Sequence, residues 1–154
     1  RADCLRQLAD HLSLAADVLG RVGAQPLLEA INPFDAPEYC VPSFELAAEI
    51  LGRCDPRLGL QFDVYHAARL GLEPDRAFAS LRHLVAHIQF ADVPGRHEPG
   101  TGALDFGRIF ATIERGGYDG WVGAEYHPSG HTAASLAWLA ARRERLIGRQ
   151  SAHG

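Results

Sequence analysis

The stretch Gly59-Leu60-Gln61-Phe62-Asp63-Val64-Tyr65-His66 decides the fold. Its first five residues read as a β-strand in which apolar Leu60 and Phe62 alternate with polar Gln61 and Asp63. Successive side chains of a strand point to opposite faces. Three other stretches divide in the same way. In 27–31, Leu28 and Ala30 oppose Glu29 and Ile31. In 86–91, Ile88 and Phe90 oppose His87 and Gln89. In 121–127, Val122, Ala124 and Tyr126 oppose Gly123, Glu125 and His127. One face of the resulting sheet is apolar and can pack on helices. The other collects a polar residue from every strand.

Helical patterns separate these strands. Leu5, Leu8, Leu12, Leu14 and Val18 recur at helical intervals, and Gly20 and Gly23 follow as stops. Ser43 is a good N-cap for a helix through Leu51. A helix or turn is expected across 67–70, a helix capped by Asp75 runs to about Leu84, and Phe106 to Arg115 is helical up to Gly116-Gly117. A final helix is predicted over 132–147, with 148–154 as a frayed tail. Strand alternating with helix implies parallel strands joined by right-handed crossovers.

A doubly wound sheet is covered on both faces, and its strands read as continuous apolar runs. These strands alternate instead. The predicted fold is therefore α/β of the (β/α)₈ TIM-barrel type, with a polar inner mouth and functional groups at the C-terminal strand ends. A complete barrel takes about 250 residues and eight strands. The 154 residues here supply about four βα units, read as a single domain over 1–154. Methionine is absent and the chain opens at Arg1 inside a helical pattern. The expectation is a half-barrel from a longer protein, or one that two copies could close as a homo-oligomer.

Formal net charge is −4, so no footprint for nucleic acid or an anionic membrane is expected. No apolar run approaches the ~20 residues of a membrane span. All 15 basic residues are Arg, which excludes a Schiff-base or P-loop lysine mechanism. Cys4, Cys40 and Cys54 are odd in number and lack C-x-x-C spacing. That predicts free thiols and a cytoplasmic location.

Glu29, Asp63, Gln89 and Glu125 sit one per strand on the polar face, at what the sequence suggests is comparable depth. A lone acid at a strand end is ordinarily a loop cap or a solvated charge. Three carboxylates converging on one space repel and raise one another's pKa. A divalent cation relieves that repulsion, and oxygen donors favour Mg²⁺ or Mn²⁺, with Co²⁺ or Zn²⁺ as lesser alternatives.

Several motifs are more specific. Leu28-Glu29-Ala30-Ile31-Asn32, Gln61 through His66, His87 through Asp92, Pro94-Gly95-Arg96-His97-Glu98-Pro99-Gly100-Thr101-Gly102 and Gly117 through Pro128 together resemble the hydroxypyruvate isomerase family of xylose-isomerase-like barrels. The similarity runs from about Pro26 to Trp138. The resemblance implies the C-terminal half of such a barrel. It also implies a metal held by Glu29, Asp63, Gln89 and Glu125, with the two glutamates as proton-shuttling acid and base. The implied reaction interconverts hydroxypyruvate and tartronate semialdehyde through an enediolate. A related 2-oxo-tetronate or ketose isomerase or epimerase is the alternative, and an inactive metal-binding fragment is another. His66 is implied in binding a small hydroxy-keto acid or sugar substrate. Such a substrate carries a carboxylate, and Arg96 is the candidate for a bidentate clamp on it. Glu98 either binds substrate or holds its loop, and His87 either lines the core or serves as a ligand.

Overall fold

The computed structural model describes residues 2–143. Helix α1 (Ala2–Gly20) leads into β1 (Leu27–Glu29), α2 (Phe44–Leu51) and β2 (Gly59–Asp63). Then come α3 (Val64–Arg69), α4 (Pro74–Leu81), β3 (Val85–Phe90), α5 (Phe106–Arg115), β4 (Val122–Ala124) and α6 (Thr132–Ser135). The four strands form one sheet in the order β1-β2-β3-β4, and every pairing is parallel. Consecutive parallel strands with an intervening helical crossover are the arc of a (β/α)₈ barrel.

The alternation foreseen in the strands is realised in β1, β2 and β3, whereas in β4 Val122 is half-buried and Ala124 exposed. Leu28, Leu60, Phe62, Ile88 and Phe90 are buried on the helical side. They join Phe44, Ala47 and Ile50 of α2, Phe78 of α4, and Phe106, Ile109, Phe110 and Ile113 of α5 in one core. Phe62 lies between Phe44 and Phe78, with ring centroids 5.1 and 5.8 Å away. Phe90 meets Phe106, Phe110 and Trp138 edge-on, at 5.7, 5.3 and 5.3 Å. These aromatics fix how the helices sit on the sheet, and so where the strand ends project.

Capping explains most helix boundaries. Ser43 Oγ accepts from Leu46 N–H at the start of α2, as expected. Asp105 does the same for Arg108 N–H at the start of α5, and Gly116 ends that helix. Asp75 does not cap α4. Glu73 occupies the cap position and Pro74 the first turn, where a missing N–H costs nothing. The last helix also departs from expectation, because it breaks at Leu136. The Tyr126 hydroxyl donates to the Ser135 carbonyl, 3.1 Å away, and so takes an acceptor that a continuous helix would use at Leu139. Leu139 N–H turns to Leu136 instead. Helix resumes over 137–143, and the rest of the expected helix and the 148–154 tail lie outside the described residues.

The cysteines correct a third expectation. Cys4 on α1 and Cys40 in the β1–α2 loop form a disulfide, and Cys54 is the free thiol. Spacing along the chain says little about a pair brought together by packing. No described helix is long and apolar enough to cross a membrane.

Phe90→Ala removes a ring held on three sides by other aromatics, and should lower unfolding stability by about 3–5 kcal/mol. Trp121 is 84% exposed, and Trp121→Ser should shift it by no more than about 0.5 kcal/mol. Urea titration of both variants checks the contrast.

Candidate functional site

Strand register sets the relative heights of the polar residues. Glu29 pairs across to Gln61, and Asp63 pairs with Gln89. Gln89 in turn pairs with Gly123, so Glu125 stands two residues further along. Glu125 N–H still donates to Phe90 O, at 3.0 Å, which carries the parallel pairing past the end of β4. The expectation of comparable depth therefore needs correcting. Asp63 and Gln89 are level, whereas Glu29 lies one inward-facing position lower and Glu125 one higher. This stagger is the shear that strand tilt imposes on a barrel.

Asp63 is the buried centre, with 1% of its surface exposed. It ends β2 and caps α3, its Oδ1 accepting from Tyr65 N–H at 2.7 Å. Its Oδ2 is buried with no hydrogen-bond partner. The nearest cationic or imidazole nitrogens are Arg96 Nη2 at 3.6 Å and His66 Nε2 at 3.7 Å. His66 Nε2 also lies 3.8 Å from Glu29 Oε1. One ligand atom each from Glu29, Asp63 and His66 falls within 4.8 Å of the others.

The tautomer of His66 follows from its neighbours. Asn32 Oδ1 accepts from Phe34 and Asp35 N–H at 3.1 and 3.0 Å, which leaves its amide nitrogen facing His66 Nδ1 at 2.7 Å. Nδ1 is thus an acceptor, and Nε2 carries the proton that points at the carboxylates. Burial and the Arg96 charge hold His66 down to about 4, so the ring is neutral near pH 7. It offers a hydrogen-bond donor to an oxygen in the site, as the substrate-binding reading requires.

Gln61 and Gln89 complete the floor. Gln61 Nε2 donates to Glu29 Oε2 at 2.8 Å and also to Gln89 Oε1. It bridges two of the four expected ligands. The sequence placed Gln61 on this face but assigned it no role, because period two gives the face and not the bridge. Burial, followed by the charges of Asp63 and Glu125, pushes the Glu29 carboxyl up to about 7. Burial likewise raises Asp63 to about 6.

Arg96 and Glu98 come from the loop after β3. Asp92, itself 1% exposed, organises that loop. Its Oδ1 accepts from Val93 and Leu104 N–H at 2.9 and 3.1 Å, and its Oδ2 from Gly100 and Gly102 N–H, both at 2.9 Å. A Cβ on Gly102 would strike the Val93 carbonyl, so only glycine allows that closure. Arg96 adopts φ 54° and its carbonyl accepts from His127 N–H at 2.8 Å. The Arg96 guanidinium stacks 4.7 Å from the Tyr65 ring centroid and donates to Glu125 Oε2 at 2.6 Å. Glu98 turns elsewhere, accepting from Ser129 N–H at 2.9 Å and Ser129 Oγ at 2.6 Å. It ties the loop to the segment after β4. His87 points towards Gly123, its Nε2 3.5 Å from where a Cβ there would sit.

Of the expected ligands the structure brings Glu29 and Asp63 together, with His66 beside them and an orphaned buried oxygen on Asp63. Glu125 stands outside that group and is linked to Asp63 through Arg96, and Gln89 is linked to Glu29 through Gln61. The two carboxylates fit a hard divalent cation. A profile of the family described as "Xylose isomerase-like TIM barrel" matches residues 1–142. The chain belongs to that family. It is 36% identical over 135 residues to hydroxypyruvate isomerase of Escherichia coli (strain K12), covering 86% of this chain and 52% of that protein. It is 37% identical over 142 residues to a 2-oxo-tetronate isomerase of Cupriavidus necator, covering 90% and 54%. Among solved structures, a Brucella melitensis protein described as an AP endonuclease of family 2 superposes with a TM-score of 0.86 at 34% identity, covering 90% of this chain and 54% of that one. The E. coli 3-keto-D-glucoside 4-epimerase superposes at 0.77 with 25% identity, covering 89% and 53%. The chain spans about half the length of the curated relatives it matches.

The raised Glu29 pKa has a signed consequence for stability. Its folded value of about 7 lies above the ordinary 4.5, so its contribution is fully present below pH 4.5 and is lost as pH rises through 7. In EDTA, Glu29→Gln should melt close to wild type near pH 4.5 and increasingly above it towards pH 8. A difference independent of pH would refute this reading of Glu29.

Proposed function

We propose that this chain carries the metal-binding half of an isomerase acting on a small hydroxy-keto acid, with hydroxypyruvate and tartronate semialdehyde as the interconverted pair. One observation carries the reading. Two glutamates stand on the outer strands of one polar face, on either side of a buried aspartate with an unpartnered oxygen. Glu29, Asp63, Gln89 and Glu125 would hold a divalent ion, with Mg²⁺ or Mn²⁺ favoured by the oxygen donors. When bound, such an ion supplies Lewis acidity to the two adjacent substrate oxygens.

The residues do the rest. Glu29 reaches the site from β1 beside Asp63 and is the base in this reading. It would take the proton from the hydroxymethyl carbon, leaving an enediolate, and Glu125 would help return a proton at the neighbouring carbon. Neutral His66, with Nε2–H directed into the site by Asn32, would donate to a substrate oxygen. Arg96 would meet the substrate carboxylate. Glu98 was a candidate for substrate binding, and its bonds to Ser129 favour the loop-holding role.

A second reading, isomerisation of a 2-oxo-tetronate, has the support of the relative from C. necator. The two readings differ in substrate and share the site. Calorimetry with Mn²⁺ at pH 7.5 should show one binding event per chain, weakened at least tenfold in Glu125→Gln. Product analysis after incubation with hydroxypyruvate and with a 2-oxo-tetronate separates the substrates. Mn²⁺ binding without turnover of either would favour a non-catalytic metal-binding fragment.

A further inference from the structure

We propose that Arg96 is a two-position residue: it is the counter-cation of Asp63 and Glu125 until a divalent ion takes those oxygens, and only then is it released to bind a carboxylate ligand. The inference rests on the metal-site reading above and extends it to the order in which ion and anion bind.

The guanidinium already occupies the cation's ground. Nη2 lies 2.6 Å from Glu125 Oε2 and 3.6 Å from Asp63 Oδ2, the atom that otherwise lacks a partner. Both carboxylates belong to the expected ligand set. A guanidinium and a divalent ion compete for the same two oxygens, because like charges that close repel. Capture of the ion therefore requires the guanidinium to leave.

The backbone under Arg96 is built to stay while the side chain moves. Asp92 holds the loop through four N–H groups, and the Arg96 carbonyl is fixed by His127 N–H. His97 Nδ1 adds a contact with His127 O at 2.7 Å. The Tyr65 ring, 4.7 Å beneath the guanidinium, gives it a platform that needs no carboxylate. A released guanidinium thus remains at the mouth of the site, with its paired N–H groups free for a carboxylate.

Linkage gives two consequences. An anion that engages Arg96 must tighten metal binding, and the metal must tighten the anion by the same factor. Removing the guanidinium must tighten the metal in the absence of any anion. The probes are Mn²⁺ and pyruvate, which has the carboxylate and carbonyl but no hydroxyl to isomerise.

The test is calorimetric titration of Mn²⁺ into the full chain, with and without saturating pyruvate, for wild type, Arg96→Gln, Arg96→Lys and Glu125→Gln. Thermal melts establish that each variant is folded. Arg96→Gln is expected to bind Mn²⁺ about tenfold more tightly than wild type and to lose the pyruvate effect. Arg96→Lys keeps the charge and is expected to bind Mn²⁺ like wild type. Where Arg96→Gln fails to fold, the pyruvate arm still tests the proposal, since wild type must bind Mn²⁺ severalfold more tightly with pyruvate present. Equal or weaker Mn²⁺ binding by folded Arg96→Gln, or no pyruvate effect in wild type, overturns the proposal. The metal site survives that result if Glu125→Gln weakens Mn²⁺ binding. No Mn²⁺ binding by any of the four overturns both.

Discussion

A buried carboxylate oxygen without a hydrogen bond is expensive, and Asp63 Oδ2 is such an atom. Leaving a buried polar group unsatisfied costs roughly 1–3 kcal/mol, and more when it is charged. The fold holds the oxygen there all the same. Oδ1 is committed to the first turn of α3, and that commitment aims Oδ2 at the open mouth. Its neighbours respond in physically consistent ways. The Asp63 and Glu29 pKa values rise, His66 stays neutral, and Arg96 leans in from the loop. The raised carboxyl values and the approach of Arg96 accommodate negative charge concentrated at one point above the sheet, whereas burial and the Arg96 charge keep His66 neutral.

That concentration is a product of strand geometry. Parallel strands with period-two side chains bring every second residue to one face, and register decides which of them meet. A level sheet would have set Glu29, Asp63, Gln89 and Glu125 in a row. The stagger instead raises Glu125 above Asp63 and drops Glu29 below it. The acids thereby follow a slanted path across the sheet, along which Glu29 and Asp63 come within reach of one another beside His66 and Glu125 stands further out.

Much of this was legible in the chain. Alternation gave the strands and the polar face, and β2 and α5 fall where the pattern put them. Ser43 announced a helix start by its chemistry alone. Other features were out of reach for stated reasons. The stagger depends on the pairing between strands, and the level match of Asp63 with Gln89 on a register irregularity between Leu60 and Gln61, neither of which a single strand encodes. The Gln61 bridge needs three strands in place. The Cys4–Cys40 disulfide joins residues 36 apart, which no spacing rule pairs. Asp92 reads as one more loop acid until its four N–H partners are seen. The break at Leu136 coincides with a bond to Ser135 from Tyr126, in the segment after β4.

The site residues differ in how far they depend on what lies beyond the arc. Asp63 and Gln89 belong to the inner strands β2 and β3, which are paired on both sides. Glu29 and Glu125 belong to β1 and the continuation of β4, each paired on one side among the described residues. Exposure follows the same division: the Asp63 side chain is 1% accessible, Glu29 21% and Glu125 51%. In the proposed function ion capture draws on both pairs, with Asp63 as its buried centre. Proton transfer leans on the outer pair, and it needs carboxylates whose solvation is controlled. In a closed eight-stranded barrel those outer strands would be paired on both sides. Under the proposed function, the outer carboxylates are therefore the ones whose solvation depends on what covers the open edges of β1 and β4.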